Sequence, residues 1–232
     1  MVQLVANLAA NRGHDQDDVT PLSAIRNRGT KVSNLWIFDS PKNNRRLTIS
    51  GDVPFMHLVL LEGDTSVAGY DLVDDPFNIT SNNRTGYVRV RERNAGEHWL
   101  VIGHSGNKRA GKDDYAAVSE ALRDKAQAAG VEVHRRSELE LAGKDILLDN
   151  WLTLCAIMTR ARSYPSYMET EQFLAALARH GSLRVSDVLA MPGVDPAIML
   201  AVVAKALQNG RVQTDLSRHI FGMHSQLVQV RS

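Results

Sequence analysis

The sequence predicts an α/β (α+β) chain in two parts, a larger unit around a mixed central sheet and a smaller helical unit ending in a β-ribbon. Three observations carry this. An apolar run from Phe55 to Glu62 opens on Pro54 and stops at Gly63, as a buried helix would. The stretches "SVAGYDLV", "YVRVRER" and "HWLVIG" then succeed one another as strands between turn residues. Beyond Pro165 the pattern changes to short, sharply punctuated helices.

In chain order, residues 1–24 are polar and acidic without periodicity and are expected to form a flexible or partner-ordered leader. "LWIFDSPKNNRRLTIS" sets two β-prone runs around the turn residues "PKNN", predicting a hairpin with Lys42, Arg45 and Arg46 at its tip. "YVRVRER" alternates apolar and basic residues, so Arg89 and Arg91 share a face. "NAG" turns it into the more buried "HWLVIG", a second hairpin. "DDYAAVSEALRDKAQAAG" places Tyr115, Val118 and Leu122 at helical spacing and ends at Gly130, and "VEVH" follows as a short strand. "KDILLDNWLTLCAIMTRA" is apolar nearly all round, which suits the core or a domain junction.

"RSYPSYMETE" marks a boundary, with Ser166 and Glu169 spaced as a capping box. "FLAALARHG" runs to Gly181, and "LRVSDVLAM" is a short helix. "DPAIMLAVVAKALQNG" takes Asp195 as N-cap, Pro196 at the first helical position and Gly210 after its end. "RVQTDLSRHIFGMHSQLVQV" closes with apolar alternation around Gly222. Three helices and a terminal ribbon outline a winged helix. The expected organisation is a leader over 1–24, a larger domain over 25–163 and a winged-helix domain over 164–232.

Composition narrows the function classes. With 232 residues, 44% hydrophobic and 23% charged, the chain is of soluble globular type, and no apolar run nears the roughly 18 residues that span a bilayer. The N-terminus lacks the basic flank, apolar stretch and cleavage site of a secretory signal. A single cysteine, Cys155, rules out an internal disulfide and fits a reducing cytoplasm. The net charge of +1 hides a cluster: Arg26, Arg28, Lys31, Lys42, Arg45 and Arg46 share one segment with Asp39 as its only acid. Such a cluster can neutralise phosphates.

Four stretches, in order and spacing, carry a resemblance: "WIFDSPKNNRRLTIS", "LVLLEGDTSV", "VEVHRRSELE" leading to "LLDNWLTL", and "LQNGRVQTDLSRHIFGMHSQLV". Over most of residues 35 to 230 the chain resembles the TnsA family, the transposon-end endonucleases of heteromeric cut-and-paste transposition. The resemblance implies a restriction-endonuclease-like core followed by a winged helix. It also implies a catalytic set: a Glu on the first core helix, an Asp at a strand end, and a Lys two residues after a Glu or Gln on the next strand. Carboxylates of this kind hold Mg²⁺ between the scissile phosphate and the attacking water, and the lysine orients that water or offsets developing charge.

Each station is empty here. The first Glu falls on Val53 or Pro54, depending on whether one counts from Ser50 or Glu62. The Asp falls at Thr85 or Gly86, and the Glu-x-Lys pair on Ile102 and His104. The expectation is a pseudonuclease with no cofactor. An enzymatic alternative, an active Mg²⁺-dependent DNA endonuclease, would recruit Asp52, Glu62, Asp64, Glu92 or Glu97, with Lys108 or Lys112.

Other constellations read as structural. His98 and His104 are spaced to share a strand face, and His219 and His224 lack cysteine partners for zinc. "GHSGNKRAGK" lacks phosphate-loop spacing and is a flexible basic loop able to touch DNA. Cys155 sits in an apolar helix as a buried thiol. The helix from Pro196 to Asn209 offers Lys205 and Gln208 as its long polar side chains, too few for major-groove readout. It is expected to pack, leaving its domain to bind protein, while Arg211, Arg218 and Arg231 keep backbone contact open.

The leading expectation is therefore a non-catalytic TnsA-like subunit of a transposition or mobile-element complex. Double-stranded DNA would lie on Lys42, Arg45, Arg46, Arg89, Arg91, Lys108, Arg109 and Lys112. A transposase or ATPase regulator, partners implied by the resemblance, would dock the winged helix and leader. Besides the endonuclease, the other alternative is a winged-helix DNA-binding regulator or phage or plasmid accessory protein.

Overall fold

A computed structural model describes residues 34–73, 86–94, 96–103 and 123–230. The leader, Thr85, Arg231 and the loop carrying His104, Lys108, Arg109 and Lys112 lie outside the described residues. The architecture is a mixed α+β one with several sheets and helices.

The hairpin forms as its turn residues dictate. Strands β1 (Leu35–Ser40) and β2 (Arg45–Ser50) pair antiparallel, with Ser40 opposite Arg45. Asn44 closes the turn at φ 51°, a left-handed conformation that asparagine tolerates better than most residues. Helix α1 (Asp52–Gly63) follows with Pro54 in its first turn. Its buried side chains include Phe55, Leu58, Val59 and Leu61. Trp36 of β1 stacks on Phe55 at 4.3 Å between ring centroids, and Phe38 meets the same ring edge-on, so β1 is fixed to α1 by aromatic contact.

The main sheet has the order β3-β4-β5-β6. Strands β3 (Val67–Val73), β4 (Gly86–Glu92) and β5 (Glu97–Ile102) make an antiparallel meander. Strand β6 (Glu132–Arg136) joins β5 in parallel after helical residues at 123–128. Parallel pairing requires a crossover connection, and the helical residues 123–128 lie within it.

A short 3₁₀ turn at Glu138–Leu141 is capped by Ser137, whose backbone N–H donates to Glu140 Oε2 at 2.5 Å. Helix α2 (Asp145–Ala161) buries Leu148, Trp151, Leu154, Cys155 and Met158 along one stripe. Its packing against α1 and the later helices makes it the spine of the chain, as its apolar character suggested. Burial of one such leucine stabilises by about 1.5–3 kcal/mol. Gly63 is required beneath it: a Cβ there would lie 2.2 Å from Trp151 Cε2.

The C-terminal part comprises α3 (Tyr167–His180), β7 (Ser182–Arg184), α4 (Val185–Leu189), α5 (Pro196–Gln208), β8 (Val212–Gln213) and β9 (Gln226–Gln229). Its three-stranded sheet has the order β7-β9-β8, antiparallel throughout. Asp195 caps α5 by accepting from the N–H groups of Ala197 and Ile198, and Gly181 ends α3 in the left-handed conformation. Two local expectations need correction. The Ser166–Glu169 capping box does not form, because Glu169 is buried and accepts from the Asp195 N–H at 3.3 Å. The first residues of "LRVSDVLAM" are extended rather than helical, because β9 recruits them into the sheet. Buried side chains from Phe38 to Leu227 form one continuous cluster across both parts.

Candidate functional site

Two of the empty stations are cross-strand neighbours. Gly86 at the start of β4 pairs directly with Ile102 at the end of β5. Ile102 is fully buried, and Val53 on the first turn of α1 belongs to the same apolar cluster. Pro54, beside it, is partly buried. Of the station residues described, Val53, Pro54, Gly86 and Ile102 carry no carboxylate.

The alternative acids are spread apart. Asp52, at the N-terminus of α1, accepts from Asn34 Nδ2 and Trp36 Nε1 at 2.9 and 2.8 Å. Glu62 and Asp64 stand at the far end of the same helix, some ten residues and so about 15 Å away. Asp64 accepts from the Ser66 hydroxyl, Glu92 faces His98 Nδ1 at 3.1 Å, and Glu97 lies 3.8 Å from Arg89. Among the described residues no three His, Cys, Asp or Glu side chains are grouped as metal ligands. His98 packs edge-on against His134, with ring centroids 5.0 Å apart.

The predicted basic face exists, and its charges are largely answered. Asp71 on β3 gathers Arg45 at 2.7 Å, Arg89 at 3.3 Å and Arg91 at 3.7 Å. Arg46 makes two hydrogen bonds to Asp39, which raise its pKa further. The more open side chains are Arg46 and Arg91, 64% and 53% exposed. Lys42 stands in the turn at the hairpin tip, but its amine is already engaged. Its Nζ turns inward to the carbonyls of Asp64 and Val67 at 2.5 and 2.9 Å, and burial lowers its pKa to about 8.

Glu62 is the polar centre of the molecule. It is fully buried, yet four donors reach it: the Ser40 hydroxyl, the Lys42 backbone N–H at 3.0 Å, the Tyr70 hydroxyl at 2.6 Å and Gln208 Nε2 at 2.8 Å. Burial and then the nearby Glu62 charge push the Tyr70 hydroxyl well above its ordinary pKa. The network ties hairpin, α1, β3 and α5 into one unit, and a buried acid so supplied needs no external partner. Burial likewise drives the Cys155 thiol up, leaving it protonated and inert.

Helix α5 is committed to packing, with Met199, Val202, Val203, Ala206 and Leu207 buried. The β8–β9 connection is also held inward. Asn150 of α2 donates from Nδ2 to the carbonyls of Leu216 and His219, each at 2.8 Å, and its Oδ1 accepts from the Phe221 N–H. His219 pairs with Asp215 at 3.4 Å.

The described residues also form an open cleft of about 560 Å³ where the β1–β2 turn, the end of α2, α3 and α5 meet. Met158, Phe173 and Val202 are among its buried apolar residues, while Arg162, Tyr164, Lys205 and Arg211 are exposed at its edge. No Asp or Glu lines it among the described residues. The sequence gives no sign of this cleft or of Arg162 at its edge, since the lining residues are scattered from Ser40 to Arg211. Nor does it single out Asn150 or the centrality of Glu62, although a glutamate inside "HLVLLEG" is a visible signal.

No protein-family model and no curated protein matches the chain. Among the described residues no helix is long and apolar enough to cross a membrane.

Proposed function

We propose that this chain is a non-catalytic, TnsA-like DNA-binding and assembly subunit of a transposition or related mobile-element complex. The observation that carries the reading is the Gly86–Ile102 pair. In a restriction-endonuclease-like core, a helix precedes a three-strand meander, and a crossover leads to a parallel fourth strand. The order α1, β3, β4, β5, β6 follows that plan. Its metal station then falls at the Gly86 end of β4, where glycine faces isoleucine. A shell of this shape without ligands binds a duplex without cutting it.

The C-terminal order of helix, strand, two helices and two strands supports a winged helix that has given up base reading. Its second long helix is buried against α2, and its connecting loop is pinned by Asn150. Such a unit serves packing and protein contact better than the major groove. DNA contact would then fall to Arg46 and Arg91, the most exposed of the paired arginines, with phosphate replacing carboxylate as their partner.

The test is binding and cleavage of a labelled linear duplex by the full chain, with Mg²⁺ or Mn²⁺, across a salt series. The expected result is salt-sensitive binding without cutting, with Arg46→Glu and Arg91→Glu each reducing the salt slope by about one. Metal-dependent cutting that disappears in Asp52→Asn or Glu97→Gln would overturn the proposal.

A further inference from the structure

The cleft between the β1–β2 turn, α2, α3 and α5 combines two kinds of wall. At its edge stand Arg162, Lys205 and Arg211, and among the described residues none of the three is paired with a carboxylate. Three unanswered cations around one concavity exceed what a single carboxylate would neutralise. Two of them are guanidinium forks, whose donor geometry matches phosphoryl oxygens. Beneath them lie the partly exposed Leu174, Ile198 and Ala201 together with the buried Phe173, and the exposed ring of Tyr164 stands at the margin. That surface suits a flat, weakly polar ring and gives nothing to a bare anion.

The size agrees: about 560 Å³ falls inside the range of roughly 300–1,000 Å³ typical of small-molecule sites. A duplex presents its phosphates on a convex surface and does not enter such a space. We propose that this cleft binds a nucleoside phosphate, either free or as the 5′-terminal nucleotide of a strand, with its phosphoryl groups on Arg162, Lys205 and Arg211 and its base on the apolar floor. The site is separate from the Gly86–Ile102 station and from the Asp71 arginines. Metal-dependent cutting would therefore overturn the pseudonuclease reading and leave this one standing.

Calorimetric titration of the full chain with ADP, adenosine, pyrophosphate and a tetranucleotide with or without a 5′-phosphate tests it. ADP binds, and adenosine and pyrophosphate each bind at least about tenfold more weakly, since each fills one wall alone. The double variant Lys205→Glu/Arg211→Glu loses at least about tenfold in ADP affinity, while Arg184→Glu, exposed and outside the cleft, leaves it unchanged. Ala201→Trp, which keeps every charge and fills the floor, abolishes binding even should the charge reversals disturb folding. Displacement of ADP by the 5′-phosphorylated tetranucleotide alone identifies a strand end as the ligand, and binding confined to ADP identifies the free nucleotide. Absence of heat with millimolar ADP, pyrophosphate binding equal to that of ADP, or undiminished ADP binding in the charge-reversed or filled cleft would sink the proposal.

Discussion

Two cationic regions meet at the β1–β2 turn, and they differ in what answers their charge. On the sheet side, Arg45, Arg46, Arg89 and Arg91 lie against Asp39, Asp71 and Glu97. On the cleft side, Arg162, Lys205 and Arg211 face a concavity without acids among the described residues. In the sequence the first group is conspicuous and the second is dispersed. The contrast teaches that a run of basic residues measures charge, whereas availability depends on which carboxylates the fold brings within about 4 Å. Between the two regions stands Glu62, whose donors Ser40 and Gln208 also line the cleft.

The largest effect should come from removing that divider. Glu62→Ala deletes the acceptor of four donors, three of them buried, and leaves a cavity, so a loss of about 3–5 kcal/mol is expected in urea unfolding. A loss below about 1 kcal/mol would mean that water or rearranged donors replace it, and that the two regions are not held apart by this group. Gly63→Ala should follow, costing about 1–3 kcal/mol, because its methyl would displace the Trp151 indole that joins α1 to α2. Unchanged thermal stability in that variant would show that α2 shifts freely against α1.

A milder change sharpens the comparison directly. Asp71→Asn removes the shared partner of Arg45, Arg89 and Arg91 while keeping the side-chain shape. Duplex binding at low salt should tighten by about two- to fivefold and its salt dependence should steepen, because freed guanidinium groups take phosphates instead. Unaltered binding would place the DNA contact away from this face.

What was legible in the sequence follows from the range of the forces involved. Local signals performed well: "PKNN" gives the hairpin, Pro54 the first turn of α1, and Asp195 with Pro196 the start of α5. Period-two alternation placed β4 and its arginines correctly. The capping box failed because Glu169 has a better use 26 residues away, on the Asp195 N–H. Lys42 failed for a similar reason: turn chemistry puts it in a hairpin, but two carbonyls beyond α1 decide where its amine points. The cross-strand Gly86–Ile102 pair depends on register, which the two strands settle together and which no single stretch of sequence reveals. The cleft had no local signal at all, since four elements and the turn build it.

The smallest effect tests whether Lys42 belongs to the interior rather than to either cationic region. Its folded pKa of about 8 lies below the ordinary 10.5, chiefly because burial disfavours the ammonium, with Glu62 and Asp64 opposing the shift. A lysine with a depressed folded pKa binds fewer protons folded than unfolded between those values, so stability rises with pH across that window. Below pH 8 both states hold the proton and the slope vanishes. The neutral amine retains two hydrogens, enough to keep its bonds to the Asp64 and Val67 carbonyls. Urea midpoints measured from pH 7 to 10.5 should therefore climb more in the natural chain than in Lys42→Met, where this contribution is missing and the other titrating groups remain. Equal curves for the two proteins would mean that the amine reaches solvent and counts among the hairpin cations after all.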